Sequence, residues 1–184
     1  MDRRSLKTRN AIRKAYFSLL AERPSHITVA EIARRANIDR KTFYLHYDIP
    51  EDVLDEFAHE KMEELRTALK NDSFSSTSSQ IVFAFHSLNK VLEQDMELYR
   101  NVAKIEYDFL WNEVQSVLSE TIYDIYCEYL DISEGQASVM VSFYSGGIIS
   151  AYRSWLKGEI RLSLEEVAEH LAFLSAKGIE KKMK

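Results

Sequence analysis

The sequence has little of several things. A single cysteine, Cys127, rules out an internal disulfide and a zinc site built from thiolates, and the five histidines are scattered. Such usage fits a reducing cytoplasm. Five glycines and two prolines in 184 residues are too few for a turn-rich β-sandwich or a Pro/Gly-rich disordered chain. There is no apolar run of about 18 residues that would span a membrane. The charged start MDRRSLKTRN lacks the apolar stretch of a signal peptide. G-x-S-x-G, H-E-x-x-H and P-loop motifs are absent, as is any internal repeat. The expectation is a non-enzyme without cofactor or metal.

What is there is unevenly distributed. Residues 1–48 hold eleven Lys and Arg against five Asp and Glu, a net of +6; the remainder holds thirteen against twenty-four, a net of −11. A basic head on an acidic body suits a protein of which only the head meets a polyanion. The length allows a small domain joined to a larger one.

The basic part contains Thr28 to Tyr47, TVAEIARRANIDRKTFYLHY. Thr28 and Glu31 form a capping box that opens a short helix. Ile32, Ala33 and Ala36 follow at helical spacing. Asn37 stands where the chain must turn, and Asn tolerates positive φ. Ile38 is an apolar plug. Asp39 caps a second helix, Arg40 to His46. Phe43 is its inward anchor, while Arg40, Lys41, Thr42, Tyr44 and His46 face outward. A short helix, a tight turn and an exposed polar-basic helix describe a DNA-binding helix-turn-helix.

This segment resembles the N-terminal domain of the tetracycline-repressor (TetR) family of bacterial transcription regulators. Thr28, Ile32, Ala33, Ala36, Ile38, Thr42, Tyr44, His46 and Tyr47 match that family's pattern T-x-x-x-I-A-x-x-A-G-V-[ST]-x-x-T-x-Y-x-[HY]-F. Asn37 replaces the turn glycine. Pro50 stands where the family has a phosphate-contacting lysine, which implies that this contact is missing. By resemblance, Thr42 and Tyr44 occupy DNA-contacting positions and His46 a position near phosphate. Thr28 and its helix end offer N–H groups to a phosphate, and Arg40 or Lys41 can donate to guanine.

The rest of the chain reads as helices. Arg3 and Arg4 form a short arm, and a first helix from about Ser5 to Glu22 carries Ile12, Ala15, Tyr16, Leu19 and Leu20 on one stripe. The loop at Arg23–His26 ends it. A fourth helix starts around Asp48-Ile-Pro-Glu51, with Asp48 as cap, and continues to about Lys70. It joins head to body. NDSFSSTSS (71–79) is a polar linker. Further helices cover about 80–93, 95–104, 106–130 and 134–157. Gly158 is a terminator, and the capping box Ser163–Glu166 opens the last helix. The expected architecture is all-α with about nine helices: a helix-turn-helix domain over 1–48 and a helical regulatory and dimerisation domain over 49–184.

In the body, FYSGGIISAYRSWLKGEIRLSLEEVAEHL resembles the C-terminal region of the TetR subgroup similar to activators of dihydroxyacetone-kinase operons. The last two helices carry apolar residues on more than one stripe and are the dimer candidate, through Gly146, Gly147, Tyr152, Trp155, Leu164 and Leu171. Gly146 and Gly147 weaken a helix, so they serve close helix approach, or else room for a ligand or a local distortion. The body's aromatics are core or the wall of a ligand pocket. The pocket candidates are Phe83, His86, Tyr99, Phe109, Trp111 and Tyr144, with Glu106, Asp108 and Glu113 as carboxylates that would favour a cationic or amphipathic ligand. Cys127, beside Tyr126 and Tyr129, reads as a small buried hydrophobe.

These readings lead to a sequence-specific DNA-binding transcriptional regulator: a cytoplasmic homodimer on a palindromic operator in double-stranded DNA, repressing until a small-molecule effector binds. One alternative makes the body a protein-interaction module without ligand. A second makes the protein an activator, and a third a helical enzyme or carrier, against which the basic head speaks.

Overall fold

The computed structural model describes residues 3–23, 26–70, 76–105, 108–129 and 132–180. Among them the chain forms nine helices and no strand: α1 (Arg3–Glu22), α2 (Val29–Ala36), α3 (Arg40–Tyr44), α4 (Asp52–Lys70), α5 (Thr77–Gln94), α6 (Met96–Ala103), α7 (Asp108–Tyr129), α8 (Glu134–Leu156) and α9 (Leu164–Glu180). The all-α expectation therefore holds. The expected positions Glu106 and Leu130, and the side chains of Tyr126 and Tyr129, fall outside the described residues, as does most of the linker.

Several boundaries differ from the expected ones. Arg3 and Arg4 are the first turn of α1 and not an arm. The recognition helix ends at Tyr44, because Leu45 is already its C-cap. Asp48 does not cap α4. Instead the Asp52 carboxylate accepts from the N–H groups of Asp48 (2.8 Å) and Ile49 (2.9 Å), gathering the turn from the helix side. The helix α5 begins before Gln80, because Ser76 and Ser79 make a capping box inside the serine-rich stretch.

Contacts divide the chain into two compact units: residues 1–60 with 96–110, and 61–95 with 111–184. The first unit is larger than the three-helix head because its core needs more walls. Ile12, Tyr16, Leu19 and Leu20 of α1, Ile32 and Ala33 of α2, Phe43 of α3, Val53, Leu54 and Phe57 of α4 and Tyr99 and Val102 of α6 are all buried. The Phe57 ring meets Phe17 edge-on at 5.1 Å and Tyr99 at 6.0 Å. On the rim, Glu56 pairs with Arg9 and with Arg13 (3.6 Å), and also accepts from the Tyr47 hydroxyl. Burial, followed by that bond to Glu56, pushes the Tyr47 phenol up to about 12 and keeps it a neutral donor.

In the second unit, α9 packs along α5 and against α8. The Tyr152 hydroxyl donates to Asn89 Oδ1 (2.8 Å), and Asn89 Nδ2 donates to the carbonyl of Leu164 (3.2 Å). One buried amide thus ties α5, α8 and the start of α9. Trp155 Nε1 donates to the carbonyl of Leu162 across the turn (2.8 Å), and Gly158 takes φ +79° there, which a side chain would strain. Ser163 and Glu166 cap α9 reciprocally, Ser163 N–H to Glu166 at 2.7 Å and Glu166 N–H to Ser163 at 3.2 Å.

Candidate nucleic-acid interface

The helix-turn-helix is built by local chemistry. Thr28 N–H donates to Glu31 Oε2 (3.0 Å), and Glu31 N–H to Thr28 Oγ1 (3.4 Å), the two halves of a capping box. The Thr28 hydroxyl also donates to Glu31 Oε2 (2.7 Å), and this bond, followed by that from the Thr28 N–H, holds the Glu31 carboxyl below its usual range. The capping box occupies two of the N–H groups expected to serve a phosphate, leaving Val29 and Ala30 as first-turn groups without an intrahelical partner. Glu31 places a negative charge at this end, answered by Arg23, whose guanidinium pairs with it.

Asn37 turns the chain with φ 53°, its N–H facing the carbonyls of Ala33 and Arg34. Ile38 N–H closes back on Ala33 (3.0 Å). Asp39 Oδ1 then accepts from Thr42 N–H (2.8 Å), capping α3 and lowering its own pKa through that backbone bond. Phe43 is fully buried and turns the opposite face outward. On that face Arg40, Lys41 and Tyr44 are exposed, and Thr42 and His46 are half-exposed.

The arginines of α2 divide their work. Arg35 donates to both Glu22 carboxylate oxygens (2.6 and 3.0 Å) and to Ser18 (2.8 Å), pinning α2 to α1. Arg34 is exposed and, like Arg40 and Lys41, makes no ion pair among the described residues. Arg34 was not singled out by sequence. Its helical offset from the buried Ile32 and Ala33 was the available signal.

The proposed effector residues are shared between the two units. Tyr99 and Phe109 belong to the first unit, and Phe83, His86, Trp111 and Tyr144 to the second. Tyr144 lines a small apolar cavity of about 40 Å³ with Ile81, Phe85, Ile122, Ile125 and Ile148. His86 instead lines a groove of about 260 Å³ between α5 and α9, with Phe85, Ala172 and Phe173. Trp111 is buried with the Arg153 guanidinium 5.0 Å over its ring, and its Nε1 has no hydrogen-bond partner among the described residues.

Two of the dimer candidates are corrected. Tyr152 (3 % exposed) and Trp155 (9 %) are buried inside their own chain, where they bond to Asn89 and Leu162. Leu164 and Leu171 are half-buried. Gly146 and Gly147 are exposed with open space beyond a Cβ at either position, so neither relieves crowding within the chain, and α8 runs through them unbroken. Among the described residues, the large apolar side chains that α8 and α9 leave exposed are Val139, Phe143, Phe173 and Leu174. Cys127 is exposed, contrary to the buried reading. No group of three or more His, Cys, Asp or Glu among the described residues could hold a metal, and no helix is long and apolar enough to cross a membrane.

A family model described as the C-terminal region of transcriptional regulators, TetR_C_8, matches residues 79–177. A curated Bacillus subtilis (strain 168) protein, the uncharacterized HTH-type transcriptional regulator YxbF, is 45 % identical over 56 residues, spanning 29 % of this chain and 15 % of that protein. A TetR transcriptional regulator from Streptococcus agalactiae 2603V shares the fold at TM-score 0.70 and 24 % identity, over 95 % of this chain and 96 % of that one. The dihydroxyacetone kinase operon activator DhaS shares it at TM-score 0.66 and 21 % identity, over 95 % and 97 %.

Proposed function

The chain belongs to the TetR family of transcriptional regulators, and from that premise we propose a cytoplasmic homodimeric repressor that grips a palindromic operator until a small-molecule effector binds its body. DNA is read by the head, residues 1–48, and regulation and dimerisation belong to 49–184. Arg40, Lys41, Thr42, Tyr44 and His46 face the major groove, and Thr28 meets the phosphate backbone at the end of α2. The observation that carries this is the outward row of α3, held by one fully buried side chain and bearing two cations, Arg40 and Lys41, that make no ion pair among the described residues.

One head reads too few base pairs for a useful site, so two heads on half-sites about 34–36 Å apart, or a multiple, supply the specificity. Gly146, Gly147, Phe143 and Leu174 are the surface through which α8 and α9 of two copies pack. The small apolar cavity beside Tyr144 supports an effector site in the body that opens further on binding. Such a ligand acts only through a difference in affinity for two body conformations, one of which holds the heads at half-site spacing. DhaS is an operon activator by name, which supports activation as the second reading.

Lys41→Ala is expected to weaken binding to a selected duplex about 5–150-fold if it contacts guanine, and to lower the salt slope by about one if it contacts phosphate. Tyr44→Phe, with one hydroxyl lost, is expected to weaken it less, by about 0.5–1.5 kcal/mol. Gel-shift titrations at several salt concentrations check this. Unchanged affinity in both variants would make α3 a merely solvated face.

A further inference from the structure

Leu45 is the most exposed large apolar side chain among the described residues, at 81 %. Its backbone is fixed: it caps α3 in αR conformation, and its N–H donates to the carbonyl of Lys41 at 3.2 Å. Leu45 lies four residues after Lys41 and three after Thr42, so it shares their face of the helix, one turn on. Tyr44 (56 %) and Ile49 (51 %) are exposed as well. Single exposed leucines are ordinary on a protein surface; this one stands in the row proposed to meet base edges, beside Arg40 and Lys41, whose charge suits a polyanion. The thymine C5-methyl is the apolar feature that the major groove presents, and contact with it discriminates bases without a hydrogen bond.

We propose that Leu45 is a specificity-determining residue that packs on a thymine methyl in each half-site. The inference rests on the DNA-facing assignment of α3 made above. Burying one methyl-sized group corresponds to about a fourfold change in affinity per half-site, so about 15-fold for an operator with two.

The test uses the full chain and a duplex recovered by selection from random DNA. Each thymine is replaced in turn, symmetrically in both half-sites, by deoxyuridine, which removes only the methyl group. Wild type is expected to lose about 15-fold at one symmetric thymine pair. Leu45→Ser is expected to bind the thymine duplex more weakly and to be indifferent to deoxyuridine there, with an unchanged melting midpoint because the side chain is exposed. If no thymine responds, or if Leu45→Ser keeps the same discrimination, the proposal is overturned. If wild type prefers no duplex over a scrambled one, the DNA-facing assignment itself falls and takes this inference with it.

Discussion

Phe43→Ala is expected to destabilise the head by about 3–5 kcal/mol, the usual cost of emptying a fully buried aromatic site, and to abolish specific DNA binding. The helix α3 has only five residues, far below the length at which a helix holds itself in water. Its conformation therefore depends on the Asp39 cap and on Phe43, which has no exposed surface and contacts the rings of Tyr44 (5.7 Å) and Tyr47 (5.8 Å). Losing the ring removes the anchor that turns Arg40, Lys41 and Tyr44 outward. Phe43→Leu keeps more of the volume and should lose less. Hydrogen exchange at the amides of α2 and α3 reads the effect where it arises, since two compact units need not unfold as one. A loss below about 1 kcal/mol would mean that the site collapses around the cavity and that Phe43 is not the anchor.

Asn89→Leu is expected to be the most damaging single change in the second unit outside its apolar core. The amide is 4 % exposed and joins the Tyr152 hydroxyl to the Leu164 carbonyl. Leucine fills the space and strands both partners, at about 1–3 kcal/mol for each buried group left unpaired. Tyr152 is itself buried, and burial raises its phenol above the usual range, so it stays a neutral donor. Tyr152→Phe strands only the Asn89 oxygen and should cost less. Urea unfolding followed at the C-terminal helices ranks the two. The reverse order, or equal small losses, would mean that the hydroxyl and the carbonyl find other partners.

How legible this was in the sequence depends on how local the cause is. Asn37 in αL, the Thr28–Glu31 and Ser163–Glu166 boxes and the inward Phe43 follow from neighbours within a few residues, and all were expected. The Ser76–Ser79 box was hidden because serine took the place of the usual Glu or Gln in a stretch that reads as linker. Tyr152 and Trp155 were misplaced because α8 is apolar on several sides. A helix without a single stripe does not declare which side its own chain covers. Their bonds to Asn89 and Leu162 depend on how α5, α8 and the α8–α9 turn meet, and no local pattern encodes that. The joining of Arg9, Arg13, Tyr47 and Glu56 was equally invisible, since it brings together residues of α1, the turn after α3 and α4 that no local pattern connects. Leu45 was not counted on the outward face, and nothing in its neighbours declares its exposure.

The most direct test is selection of binding sites from random duplex DNA with the purified chain at near-physiological salt, where non-specific phosphate binding is weak. The account predicts a palindrome, with half-sites related by a two-fold axis and spaced by one helical turn or a multiple of it. Recovery of no preferred sequence, or of an isolated half-site bound by one copy, would contradict it.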